Sequence, residues 1–427
     1  MRRSENPTFV DLFAGCGGLS LGLFEAGWQG LFAIERDARA FATLERNLFD
    51  PSHHQFAWPE WLPRQATTLE DLLLRKDLRA GLEGLAGRVD MLAGGPPCQG
   101  FSVLGRRKVN DPRNQLFRQY LHVVDLLKPS LVLIENVRGI SQSFTQPEAD
   151  MGKCQTPTNY AEVITEELTN LGYLVWRKLI FASDYGVPQV RPRYIFVAAR
   201  KVWKRDDKHA LVEPFELLRA NQKAFLQSKF LRFSTPVTAG EALSDLETPG
   251  HTIPCRENPI FMQGCYGEQT TAYQRLMHQK CRSAEADSHR LARHRPETVQ
   301  KFQWFLDNCI PGRRLDVKDR GPHVTKKHSI HILNREKPAP TINTLPDDVI
   351  HYCEPRILTV RESARLQSFP DWYEFCGKYT TGGKNRIREC PRYTQVGNAV
   401  PPLLAEALGT TLKNFLTTHC NQTTKRL

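Results

Sequence analysis

The stretch TFVDLFAGCGG, residues 8–18, sets an apolar run directly against a glycine-rich turn. Thr8 to Phe13 reads as a strand, and the spacing predicts a helix from Leu19 to Ala26 that Gly27 closes. Working outward, Leu31 to Ile34 is a second strand ending at Glu35, followed by a helix through Ala40 and Leu44. Residues 89–93 form another strand. Leu116 to Leu127 has helical periodicity and stops before Lys128-Pro129. Leu131 to Ile134 is a continuous apolar run, the pattern of a strand covered on both faces. A helix from Ala161 to Leu171 and a late strand from Tyr194 to Ala199 complete the series. Strands alternating with helices predict an α/β fold with a doubly wound, mostly parallel sheet.

Past residue 201 the pattern weakens, and charges, His and Pro become frequent. The expectation is a large lobe over 1–200, a second, smaller and irregular lobe over 201–345, and a return segment over 346–400. A helix at about 400–420 then completes the large lobe. Helical periodicity is visible at 215–227, at Val360 to Gln367 and at Pro402 to Leu416. The chain of 427 residues carries a net charge of +12, unevenly spread. Residues 1–200 hold 23 Lys+Arg against 22 Asp+Glu, whereas 201–345 hold 24 against 16. A basic middle segment points to a polyanionic partner. No apolar run is long enough to span a bilayer, and the basic N-terminus MRRSENPTFVDLF lacks the apolar stretch of a signal peptide. The eleven cysteines include no CxxC pair, which argues against a zinc ribbon and for reduced thiols in a cytoplasmic protein. Cys281 with His289 and His294 is irregularly spaced for metal ligands, and no metal is expected.

Three further stretches carry chemistry. In GGPPCQGFS, residues 94–102, prolines fix the backbone on one side of Cys98 and glycines permit a sharp turn on the other. Such a loop presents a thiol at a sheet edge. Glu135 follows the buried strand 131–134 and faces the same edge, and a partly desolvated carboxyl can donate a proton. A nucleophile beside an acid is the pairing needed to attack an electron-poor ring. In QVRPR, residues 189–193, Arg191 and Arg193 alternate and so point the same way. The glycine turn after the first strand and Glu35 after the second suggest a nucleoside-bearing cofactor: glycines admit close approach, and the acid can accept ribose hydroxyls. The spacing is neither GxGxxG nor a P-loop.

Taken together, these stretches resemble the DNA (cytosine-5)-methyltransferases of bacterial and phage restriction-modification type. DLFAGCGG is similar to the family's cofactor loop and GGPPCQGFS to its catalytic loop. IENV at 134–137, QVRPR, RILTVRE with ARLQSFP at 356–370, and QVGNAVPP at 395–402 follow in the family's order. The resemblance covers nearly the whole chain apart from roughly 201–340, the variable target-recognition region of such enzymes. It implies a Rossmann-like sheet dependent on S-adenosylmethionine and transfer of a methyl group to carbon 5 of a flipped-out cytosine in double-stranded DNA. It assigns Cys98 as the nucleophile at carbon 6 and Glu135 as the group on the N3/N4 edge. Arg193 is assigned to the cytosine carbonyl and Glu135, with Arg191 supporting the loop. For the cofactor it implies Phe13, Gly15, Gly17 or Gly18, Glu35, Arg36, Pro97, Leu116, Asn398 and Val400. For DNA it implies Gln99, Ser102, Arg106 and Gln189, with Arg107 and Lys108 in the same loop. The family's acidic adenine contact has no direct counterpart: Thr67-Thr68-Leu69 stands there, with Glu70 and Asp71 beyond.

Other expectations follow from family habit: a monomer, nucleoid-associated in a bacterial cytoplasm, functionally paired with a restriction endonuclease. Three rival readings are a tRNA cytosine methyltransferase, a DNA-binding module that only senses sites, and a nucleotide-dependent oxidoreductase. GFS after Gln99 and the long basic insert favour DNA over tRNA. Intact Cys98 and Glu135 argue against the second rival, and PPCQ and QVGNAVPP go unexplained by the third.

Overall fold

β1 (Thr8–Leu12) is flanked in the sheet by two parallel neighbours, β2 (Gln29–Ile34) and β5 (Met91–Gly94). The computed structural model describes residues 6–97, 112–142, 159–201, 212–323, 329–380 and 389–424. Two two-residue strands, β3 (Phe49–Asp50) and β4 (His54–Gln55), form a ribbon outside the main sheet. β6 (Leu131–Val137) extends the sheet in parallel beyond β5, and β7 (Tyr173–Phe181) and β8 (Pro192–Arg200) complete the order β2-β1-β5-β6-β8-β7.

Side chains on successive residues alternate between two cores. Phe9, Met91, Leu131 and Val197 face α1 (Gly18–Glu25) and α13 (Pro402–Thr424). Val10, Leu92, Val132 and Phe196 face the opposite layer. That layer is built from α3 (Leu69–Leu74), α4 (Lys76–Glu83), α5 (Pro112–Leu127) and α6 (Tyr160–Asn170). The doubly wound, mostly parallel sheet is therefore as expected, with one correction. β8, the late strand at 194–199, runs antiparallel to both β6 and β7, and β7 carries no apolar alternation that would announce it. Only residues 182–191 join β7 to β8, too few for a parallel crossover helix and enough for an antiparallel return.

α7 (Pro214–Ser228) packs against α13. Residues 239–308, expected to be the irregular small lobe, are more regular than their composition indicates. They hold α8 (Ala239–Leu243), α9 (Ala272–His278), α10 (Pro296–Asn308) and a three-stranded antiparallel sheet. The sheet comprises β9 (Thr252–Pro254), β10 (Met262–Cys265) and β11 (Glu285–Arg290), short strands in which charge masks the pleat pattern. Capping boxes start α8 at Thr238/Glu241 and α9 at Thr271/Gln274. The return segment forms α11 (Val360–Leu366), capped by Thr359/Glu362, and α12 (Arg392–Asn398). No helix among the described residues is long and apolar enough to cross a membrane.

Candidate active site

The carboxyl ends of β1 and β2 meet over the glycine turn. Phe13 and Gly15 take the left-handed conformation at φ 61 and 58, and Ala14 N–H donates to the Ile34 carbonyl. Gly17 sits at φ 89, and a Cβ there would lie 2.8 Å from the Tyr373 hydroxyl. A Cβ on Gly18 would lie 2.3 Å from the Val400 carbonyl oxygen, so the turn and the 399–400 backbone close on each other only because Gly18 lacks a side chain. Glu35 ties the turn to β2: one carboxylate oxygen accepts from Gly15 N–H at 2.9 Å and the other from Asp37 N–H at 2.8 Å. Burial raises its pKa. Arg36 is exposed beside it, Pro97 and Leu116 are half-buried, and Asn398 is exposed at the end of α12.

The segment expected to carry an adenine contact forms no strand. Thr67 N–H donates to the Glu35 carbonyl, and Thr68 caps α3 by accepting from Asp71 N–H at 2.9 Å. Glu70 and Asp71 are exposed on its first turn.

Beneath the turn lies a residue the motif reading passed over. Asp11, fully buried, accepts from the Ser20 hydroxyl at 2.5 Å, and burial pushes its pKa up to about 7. An acid within an otherwise apolar strand was the available signal.

The second cluster forms where β5 and β6 end. Asn136 donates to the Pro96 carbonyl at 3.1 Å, holding the start of the cysteine loop against β6. Gly95 leaves room for Glu135, whose Oε2 would stand 3.2 Å from a Cβ there. Antiparallel pairing sets Val137 opposite Arg193 and Glu135 opposite Ile195. The diagonal on one face then brings the Arg193 Nε to 2.5 Å from Glu135 Oε1. Both groups are largely buried, and burial lowers the Arg193 pKa against the opposing pull of Glu135. Cys98, Gln99, Ser102, Arg106, Arg107 and Lys108 lie outside the described residues.

Two of the expected site residues lie deep in the protein. Arg191 is fully buried and donates to the carbonyls of Ile342 at 3.0 Å, Gly397 at 2.8 Å and Ala399 at 3.0 Å. Its guanidinium ties three backbone segments together. Gln189 is also fully buried: its amide donates to the Leu366 carbonyl, and its Oε1 accepts from Ile342 N–H at 2.8 Å. Both ends of that side chain are bonded inside the protein.

Two ion pairs join the return segment to residues 201–345, Arg361 with Asp287 and Arg365 with Asp245. Within the return segment, Arg356 pairs with Glu354 and Glu362, and Arg365 with Asp371. Cys281, His289 and His294 do not converge. Cys281 contacts the Ser283 carbonyl, His289 bridges Thr359 and the Leu246 carbonyl, and His294 accepts from Ile357 N–H. His351, Cys353 and Glu354 do bring donor atoms within 4.8 Å of one another. However, His351 Nδ1 already accepts from two backbone N–H groups, and Glu354 is bound to Thr248 and Arg356.

Burial lowers the pKa of both His289 and His351 to about 4. The unfolded chain binds protons at these positions below its ordinary value of ~6.5 while the native state refuses them, so each histidine withdraws stability as pH falls from ~6.5 to 4. Asp11 acts oppositely in part of that window, since its raised pKa lets the native state hold a proton the unfolded chain has lost. Comparison with His289→Gln isolates the histidine. In denaturant titrations, the slope of stability against pH between 6 and 5 should be shallower in the variant by ~1.4 kcal/mol per pH unit. Equal slopes would mean that His289 titrates as it does in solution.

The family described as C-5 cytosine-specific DNA methylase matches residues 7–414. Type II methyltransferase M.DdeI of Desulfomicrobium norvegicum is 31% identical over 415 residues, covering 93% of this chain and 86% of the relative. Type II methyltransferase M1.HphI of Haemophilus parahaemolyticus is 30% identical, covering 94% and 85%. Type II methyltransferase M.AplI of Arthrospira platensis is 32% identical, covering 95% and 86%. Among solved structures, a candidate DNA modification methyltransferase encoded within an E. coli prophage superposes with a TM-score of 0.62 at 24% identity, over 96% of this chain and 100% of that one. S. pombe Dnmt2 methyltransferase superposes at 0.51 and 13% identity, over 97% and 99%. These two likenesses bear on the fold.

Proposed function

The chain belongs to the C-5 cytosine-specific DNA methylase family, and on that premise we propose that it methylates carbon 5 of a cytosine flipped out of double-stranded DNA within one short sequence. The observation that carries this reading is the buried Glu135–Arg193 pair at the carboxyl edge of the sheet, directly beside the Gly95-Pro96 entry to the cysteine loop. An acid locked by a guanidinium at the mouth of a nucleophile loop fits a pyrimidine ring, which presents a carbonyl and an amidine edge together.

The turn at Phe13–Gly18 with Glu35 fits a nucleoside-bearing methyl donor. Its positive-φ backbone leaves an open face, and a Cβ on Gly15 would meet nothing within 4 Å. Each Glu35 oxygen, holding one N–H, retains a lone pair for a ribose hydroxyl. S-adenosylmethionine, when bound, supplies the methyl group. The chain's own residues do the rest. The Cys98 thiolate adds to carbon 6 of the cytosine, and Glu135, protonated, hydrogen-bonds the N3/N4 edge and neutralises the charge that develops on the ring. Arg193 holds the cytosine carbonyl and keeps Glu135 in place. Once carbon 5 carries the methyl group, its proton leaves, the electron pair restores the ring double bond, and the Cys98 sulfur departs with its bonding pair. Residues 201–345 supply sequence recognition, and the chain acts as a monomer in a bacterial cytoplasm, protecting DNA from a partner endonuclease. The likeness to Type II methyltransferases supports that pairing.

The test is expression in bacteria that lack cytosine methylation, followed by bisulfite sequencing of the host genome. The expected result is 5-methylcytosine confined to one short motif. Unmethylated DNA from cells containing soluble protein that binds S-adenosylmethionine would transfer the reading to an RNA substrate or to a site-binding protein without activity.

A further inference from the structure

Tyr373 belongs to none of the chemistry above, yet it touches the cofactor turn. It is fully buried, and its hydroxyl donates to the carbonyl of Cys16, between Gly15 and Gly17. Its own carbonyl accepts from Arg361 Nη2 at 2.6 Å. Arg361 reaches onward to β11 of the small lobe, where Nε donates to the Asp287 carbonyl at 2.9 Å and Nη2 to its carboxylate at 3.2 Å. Phe375 N–H also donates to that carboxylate at 3.2 Å. Three residues thus run without a gap from the small-lobe sheet to the turn.

There is little slack at the turn end, because a Cβ on Gly17 would already stand 2.8 Å from the Tyr373 oxygen. The ring is held at 5.0 Å from Phe369 and 5.7 Å from Phe375, so it moves with its segment. Burial pushes the phenol pKa well up, which keeps the hydroxyl a donor at any working pH.

We propose that Tyr373 is a positioning residue that couples the small lobe to the cofactor turn, so that binding of DNA and binding of the methyl donor each strengthen the other through its hydroxyl. The proposal rests on the reading that the turn holds S-adenosylmethionine and the small lobe meets DNA. Coupling of this kind is reciprocal, so one measurement suffices to read it.

Tyr273 provides the control. It is equally buried, in α9 of the same lobe, and its hydroxyl donates to the Arg365 carbonyl at 2.6 Å. Tyr273→Phe loses the same kind of bond as Tyr373→Phe, but at a distance from the turn. Affinity for S-adenosylhomocysteine is measured by calorimetry with and without a duplex carrying the motif mapped by bisulfite sequencing. Wild type and Tyr273→Phe should bind at least about fivefold tighter with the duplex present. In Tyr373→Phe that ratio should fall to within about twofold of one, and affinity without DNA should fall about five- to tenfold.

A wild-type ratio in Tyr373→Phe, or an equal loss in Tyr273→Phe, overturns the coupling role while leaving the cofactor reading intact. Failure of the wild type to bind S-adenosylhomocysteine overturns the cofactor reading itself and the proposal with it.

Discussion

Cys98→Ala should reduce methyl transfer at least about 10⁴-fold while binding of S-adenosylmethionine persists. Without sulfur addition at carbon 6, carbon 5 stays part of an aromatic ring and too weak a nucleophile to take a methyl group. The remainder of the site can orient the base but cannot supply that electron pair. Cofactor affinity should survive because the turn at Phe13–Gly18 and Glu35 is built from β1 and β2, and its bonds run to Ile34, Asp37 and Glu35. Glu135→Gln should be less severe, about 10²–10⁴-fold, because an amide keeps a hydrogen-bond donor for the ring but cannot give up a proton to neutralise its developing charge. Incorporation of labelled methyl groups into duplex DNA measures both variants. Residual turnover above about one per cent in Cys98→Ala would remove Cys98 from the role of nucleophile. A loss of cofactor binding alongside activity would show that the cysteine loop is part of the cofactor pocket's structure.

The parts legible in the sequence are those whose partners lie close along the chain. The strand–turn–helix at 8–25 depends on neighbours in the same βα unit, so local pattern suffices. The antiparallel end of the sheet was hidden because β7, with Arg177 and Lys178 inside it, looks like a solvated segment, although the ten residues before Pro192 forbid a crossover. Arg191 and Gln189 show a second kind of blindness. Two polar residues at a sheet edge have the pattern of exposed groups. What satisfies them is a set of carbonyls and an amide at 342, 366, 397 and 399, about 150 to 210 residues away in sequence. Charged residues of α11 mislead similarly. RESAR has the composition of a solvent face, yet every residue from Val360 to Leu366 is buried. A buried charge is tolerable only where an opposite charge is delivered; here Asp287 and Asp245 deliver it to Arg361 and Arg365, and Arg356 to Glu362.

Arg365 is where that arrangement should fail most visibly. Its Nε and Nη2 donate to Asp371 at 2.8 and 2.7 Å, Nη1 and Nη2 to Asp245 at 2.9 and 3.0 Å, and Nη1 to the Ala242 carbonyl at 2.9 Å. All three side chains are inaccessible to solvent. Arg365→Met keeps much of the volume but leaves two carboxylates buried together without their guanidinium, Asp371 keeping its bond to His278 Nδ1 at 3.0 Å. Breaking a buried pair in this way costs about 3–5 kcal/mol, and two facing carboxylates place the expected loss at the upper end. The damage should be local. Hydrogen exchange should accelerate in α8, α9 and 371–375, whose amides surround the lost guanidinium, while β1, β5 and β6, held by the two sheet cores, keep their protection. Adding Asp245→Asn and Asp371→Asn to the variant removes both stranded charges and should recover more than half of the loss in denaturant titrations. That recovery separates the electrostatic account from simple misfit of methionine. Stability of Arg365→Met within about 1 kcal/mol of wild type, or no gain on neutralising the aspartates, would mean that the small lobe is held by its apolar contacts alone.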